Sequence, residues 1–236
     1  MTPVIHASST ESSESGPFRA PPQALIRHQL KRAGVFAVRL VGPPGSGKTE
    51  LIEATIKHLA APQRVAVIVI NPAAHRDAAR LRAHCGHVEF VDAPAPHAAS
   101  VWHAIQQIPL KDVDLIFIET CGGLAPLDDL GQDATVATLA IGGGDDKAAE
   151  YHTLLKSSSL VLLTQADMRP MVKFNENVFR DDVQTVNAAA EIVLISAFSG
   201  AGMYRWLEWL ESARLAKSSR NAPPSPGGPM GERFFG

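Results

Sequence analysis

The sequence has 236 residues, enough for one sizeable α/β core but too few for two independent domains once its polar ends are set aside. A formal net charge of −2 gives no electrostatic footing for nucleic acid or an anionic membrane surface. Cys85 and Cys121 are too few for a disulfide framework and point to a reducing, cytoplasmic setting; no apolar run reaches a membrane span, and the first residues lack the basic start and apolar core of a signal peptide.

In chain order, residues 1–22 are Ser-, Glu- and Pro-rich and are expected to be disordered, as is the Pro- and Gly-rich stretch 217–236 with its Phe234-Phe235 end. A single domain is expected between them, over residues 23–216. Gln23 to Arg32, with Ala24, Leu25 and Leu30 among basic residues, suits a short helix lying against the domain. The apolar run Phe36 to Val41 then enters Gly42-Pro43-Pro44-Gly45-Ser46-Gly47-Lys48-Thr49, followed by the helical pattern Glu50 to Leu59. That is G-x-x-x-x-G-K-[ST] between a strand and a helix, the phosphate-binding loop in its required setting.

Further short apolar runs follow at Val65 to Ile70, Val88 to Val91, Val113 to Ile118, Thr135 to Ile141, Leu160 to Leu163 and Glu191 to Ile195. Between them lie helical spacings such as Val101/Ile105/Ile108 and, near the end, Met203/Leu207/Leu210. Strands alternating with helices predict an α/β P-loop NTPase with a mostly parallel central sheet and helices on both faces. Trp102, Trp206 and Trp209 read as packing residues.

The loop glycines Gly42, Gly45 and Gly47, with Ser46, allow backbone amides to turn onto phosphates, and the helix start adds a positive dipole end. Lys48 is expected at the β/γ-phosphates and Thr49 on Mg²⁺. The strand Val113 to Ile118 runs into Glu119-Thr120-Cys121-Gly122-Gly123. An acidic residue at such a strand tip can complete the Mg²⁺ shell, and Gly122 can offer its N–H to the γ-phosphate, which makes a sensor of the nucleotide state.

Together with Arg76-Asp77-Ala78-Ala79-Arg80, Asp114 to Gly122, Asp129-Leu130-Gly131-Gln132-Asp133, Gly144-Asp145-Asp146-Lys147, Leu160 to Asp167 and Ile195-Ser196-Ala197-Phe198-Ser199-Gly200, the phosphate loop makes the chain resemble the HypB-type hydrogenase nickel-incorporation GTPases. These belong to the group that also contains the urease and cobalamin metallochaperones. The resemblance implies a cytoplasmic homodimer that binds Mg²⁺ and GTP, hydrolyses GTP slowly, and helps to pass nickel to hydrogenase maturation proteins or to the hydrogenase large-subunit precursor. It places Lys48, Thr49 and Glu119 in catalysis, Thr164 and Asp167 at the guanine, and Ser196-Ala197 on the loop that supports guanine O6.

The sequence departs from that family in three places. Thr164-Gln165-Ala166-Asp167 stands where Asn-Lys-x-Asp is expected, keeping the discriminating carboxylate but reducing the surface that covers the base. Asn71-Pro72 replaces Gly-Asp after the second strand and supplies neither a general base nor, at Pro72, an N–H, so slow or absent hydrolysis is expected. Glu119 and Asp77 are then the candidates to orient the attacking water. Pro96-His97 replaces Cys-His, and the family's second cysteine after the switch is missing.

For a transition metal, Ni²⁺ or Zn²⁺, the resemblance leaves His97, with Cys121 inside the switch as a second candidate. Cys121 is equally readable as a small buried residue. His84-Cys85-Gly86-His87 is either a ligand cluster or a solvated helix end. The competing functional reading is a non-catalytic, nucleotide-dependent scaffold of the same descent.

Overall fold

The computed structural model describes residues 20–70, 75–93, 95–122 and 127–221, with the side chains of 75–77 and 221 outside that description. Asn71-Pro72, the Asp77 side chain and the segment after Gly122 therefore lie outside the described structure. Seven strands form one parallel sheet: β1 (Phe36–Gly42), β2 (Val65–Ile70), β3 (His87–Val91), β4 (Leu115–Cys121), β5 (Ala134–Ala140), β6 (Leu160–Thr164) and β7 (Glu191–Leu194). Their spatial order is β3-β2-β4-β1-β5-β6-β7, so β1 sits centrally between β4 and β5. Each strand coincides with one of the apolar runs, displaced by no more than a few residues. Continuous burial along β1 and β2 is what a sheet covered on both faces demands.

Eight helices accompany them among the described residues: α1 (Pro22–Ala33), α2 (Lys48–His58), α3 (His75–Leu81), α4 (Ala98–Gln107), α5 (Lys147–Glu150), α6 (His152–Lys156), α7 (Glu176–Val186) and α8 (Met203–Asn221). On one sheet face, Val38, Leu40, Phe117 and Leu162 pack with Leu51, Ile52 and Ile56 of α2 and Met203, Trp206 and Leu210 of α8. The opposite face is covered by α1 and α4 over β1, β2 and β4, and by α6 and α7 over β5 to β7. Trp206 is fully buried, stacks on Trp209 and donates from Nε1 to Thr55 Oγ1 at 2.7 Å, joining α8 to α2.

α8 continues to Asn221, past the expected domain edge at 216, because Lys217 is drawn into the structure. Its Nζ donates to Val35 O and to Asp133 Oδ2, each at 2.6 Å, while the same carboxylate oxygen accepts from Ala37 N–H at 2.8 Å. One lysine thus ties the last helix to the entries of β1 and β5.

Candidate functional site

β1 leads straight into the Gly42–Thr49 loop, which turns tightly enough for Ser46 N–H to donate to Pro43 O at 3.2 Å. A Cβ on Gly42 would meet Thr138 O at 2.2 Å, and Gly47 has a φ of 75°, so both positions require glycine. Among the described residues no side chain caps the start of α2, and a helix N-terminus of this kind attracts phosphate. Lys48 Nζ, nearly buried, donates to Gly42 O and Pro43 O at 2.9 Å each and to Ser46 Oγ at 3.3 Å. A triphosphate would exchange these neutral acceptors for charged ones, which makes stronger bonds.

β4 lies beside β1 with Glu119 opposite Leu40 and Cys121 opposite Gly42, which brings the strand tip to the loop. Thr49 Oγ1 donates to Glu119 Oε1 at 2.6 Å. A hydroxyl and a carboxylate held this close are hard oxygen donors that suit Mg²⁺, which takes few protein ligands and leaves room for water and phosphate oxygens. Gly122 N–H donates to Gly42 O at 3.3 Å, a contact that a γ-phosphate would have to displace.

The cleft beyond the loop is built by the ends of β6 and β7. Thr164 Oγ1 donates to Ser46 O at 2.9 Å and to Leu139 O at 3.2 Å. Gln165 has a φ of 58°, the left-handed region and the only such non-glycine among the described residues, and its Nε2 donates to Gly45 O at 3.1 Å. Thr164 and Gln165 therefore brace the phosphate loop from behind. Asp167 follows in the next turn, where its Oδ1 accepts from Ser196 Oγ at 2.5 Å. Ser196 is buried, and its Oγ also accepts from Ser199 N–H at 3.0 Å. Gly47, Glu50, Thr164, Asp167, Ser196 and Ala197 border a cavity of ≈ 230 Å³.

The transition-metal candidates are placed differently. His97 stands at the N-cap of α4, two-thirds exposed, with Nδ1 3.5 Å from Asp128 Oδ2. Cys121 ends β4 beside the phosphate loop. Among the described residues no group of three His, Cys, Asp or Glu side chains converges on a metal-sized gap.

The His84-Cys85-Gly86-His87 stretch closes the end of α3, with the His84 and Cys85 N–H groups both donating to Leu81 O. Cys85 Sγ donates to Leu81 O and His87 O, and burial pushes the thiol up to about 11. His84 Nε2 lies 3.1 Å from Glu53 Oε1. These residues are engaged separately, as a helix end and not as a ligand set.

Sequence reasoning passed over Arg39, an arginine in the middle of the apolar run of β1. It is 1% exposed; Nε donates to Thr120 Oγ1 at 3.0 Å and Nη1 to Asp128 O at 2.7 Å. Burial lowers its pKa to about 10 against the opposing pull of Asp128 and Asp129. The charge out of place in a strand was the available signal.

Phosphate loop, hydroxyl–carboxylate pair and the cleft at Asp167 all lie at the carboxyl ends of β1, β4, β6 and β7, the edge where open α/β sheets bind ligands. They define a P-loop nucleotide-binding protein.

A family model described as CobW/HypB/UreG, nucleotide-binding domain, matches residues 36–194. Hydrogenase maturation factor HypB of Escherichia coli strain K12 is 37% identical over 186 residues, covering 77% of this chain and 64% of that protein's length. The probable hydrogenase maturation factor HypB of Methanocaldococcus jannaschii is 31% identical over 192 residues, covering 79% of this chain and 87% of that protein. The crystal structure of HypB from Archaeoglobus fulgidus aligns with a TM-score of 0.74 at 25% identity, over 82% of this chain and 97% of that one. The chain belongs to the CobW/HypB/UreG family of P-loop GTPases, and within it to the HypB type.

Proposed function

We propose that this chain binds Mg²⁺-GTP, hydrolyses it slowly, and acts as an accessory protein in nickel insertion during [NiFe] hydrogenase maturation. The observation that carries the nucleotide reading is Asp167, held at the cleft by Ser196 Oγ at 2.5 Å. A carboxylate there accepts the paired N1–H and N2–H donors of guanine, which adenine lacks, and the backbone at Ser196-Ala197 supports O6. Lys48 would hold the β/γ-phosphates and Gly122 N–H would meet the γ-phosphate. Glu119 would share Mg²⁺ with Thr49 and is the described residue best placed to orient water. The ion, when bound, neutralises charge developing on the phosphate oxygens.

Nickel is cargo in this reading. His97 and Cys121 supply one imidazole and one thiol per chain, so a site would need a second copy, in keeping with a homodimer. The partners would be other maturation proteins or the hydrogenase large-subunit precursor, met in the cytoplasm. No described helix is long and apolar enough to cross a membrane.

The test is calorimetric titration of metal-free protein with GTP and ATP in Mg²⁺, repeated with Asp167→Ala. GTP should bind more tightly than ATP, and the variant should lose that preference. Equal affinities untouched by the variant would overturn the guanine reading. Phosphate release then tests turnover, its absence leaving a non-catalytic scaffold, and Ni²⁺ titration of His97→Ala and Cys121→Ala tests the cargo site.

A further inference from the structure

Six large apolar side chains are exposed among the described residues: Met168, Met171, Val178, Phe198, Tyr204 and Leu215. Two of them, Met168 and Phe198, line the same cavity as Asp167. Phe198 is 84% exposed and Met168 38%, so neither is there to fill the core. The turn that carries Phe198 is fixed from within: Ser196 N–H donates to Ala201 O at 2.9 Å, Gly200 N–H to Ser196 O at 2.9 Å, and Ser199 N–H to Ser196 Oγ at 3.0 Å. A phenyl ring is thereby presented to the cleft by a turn held by bonds in which it takes no part.

Gln165 borders the same cavity, but its Nε2 donates to Gly45 O at 3.1 Å, which turns the amide toward the phosphate loop. A purine whose edge is read by Asp167 still has two apolar faces to remove from water. We infer that Phe198 and Met168 are the residues that cover the nucleobase, with Phe198 as an aromatic stacking platform and Met168 as an adaptable thioether contact. The inference rests on the guanine-nucleotide reading of the cleft and assigns a division of labour within it. Stacking accepts any base, because every base has a π-face, whereas the Asp167 carboxylate discriminates between bases. Phe198 should therefore set how tightly purine nucleotides bind, and Asp167 which one binds best.

The experiment is calorimetry on the full chain with Mg²⁺ and three probes: GTP, ATP and inorganic tripolyphosphate, which has no base. Phe198→Ala should weaken GTP and ATP by the same factor, about ten- to a hundredfold. Tripolyphosphate affinity should stay at the wild-type value, which also shows that the phosphate loop remains folded. Phe198→Trp should restore GTP binding, and Met168→Ala should give a smaller loss in the same direction. Unchanged GTP affinity in Phe198→Ala, or an equal loss for tripolyphosphate, would overturn the stacking role while leaving guanine recognition by Asp167 standing. If the wild type binds GTP no better than tripolyphosphate, the guanine reading fails and the stacking role falls with it.

Discussion

The carboxyl end of the sheet at β1, β4, β6 and β7 and the flank formed by α3, β3 and α4 both carry polar side chains, but at the first they surround the phosphate loop, whereas on the second Arg80 and His84 join Lys57 as ion-pair partners of Glu53. At the sheet end Thr49 bonds Glu119 at 2.6 Å and Ser196 bonds Asp167 at 2.5 Å, while Lys48 and Thr164 bond carbonyls of the phosphate loop at 2.9 Å. On the flank His84 turns to Glu53, Cys85 to backbone carbonyls and His97 to Asp128. Phosphate recognition is built largely from backbone amides and one lysine within eight residues of chain, so a strand, a turn and a helix suffice. A metal site needs several side chains from separate elements to reach one point, which local sequence cannot arrange.

The contrast can be broken most severely through its scaffold. Trp206→Ala empties a fully buried site between α8 and α2, the helix that follows the phosphate loop, and should cost about 3–5 kcal/mol in urea unfolding. Lys48→Ala should remove about 2–3 kcal/mol of GTP binding, measured by calorimetry, since it deletes a charged donor at the phosphates.

The flank side is sharpened by Cys85. With its thiol raised to about 11, alkylation by iodoacetamide at pH 8 should run about a hundredfold slower than for an ordinary cysteine. Because the folded-state value lies above the unfolded one near 9.0, the unfolded chain loses its proton first as pH rises. This thiol's contribution to stability is therefore complete below about pH 9 and declines towards pH 11, which Cys85→Ala should abolish in melts across that range. The smallest effect belongs to His97→Ala: its exposed contact with Asp128 should leave stability within about 0.5 kcal/mol and GTP affinity unchanged, so any loss in Ni²⁺ titration reports metal alone.

The strands were legible because β-branched apolar runs of four to seven residues are too short for helices and fit strands of a covered sheet. Helices with a clear apolar stripe, α2 and α4, were legible for a related reason. α7 was not, since its acidic and amide residues obscure Phe179 and Val183; the usable signal was Asn175, whose side chain accepts from the N–H groups of Asn177 and Val178 as an N-cap. The end of α8 was misread because Lys217 looks like a solvated residue until Val35 and Asp133 are brought beside it.

The sequence alone determined the phosphate loop and the alternation of strands and helices. These are properties of residue type and of spacings within a few turns of chain. Tertiary structure decided what Thr164 and Gln165 do. They reach Ser46 and Gly45 across 118 and 120 residues and brace the loop, a role that their departure from Asn-Lys did not suggest. It also decided that Arg39 would join Thr120 and Asp128, that Ser196 would orient Asp167, and that Phe198 would border the same cavity. Each of these depends on which strands become neighbours, and that is set by burial of the whole sheet.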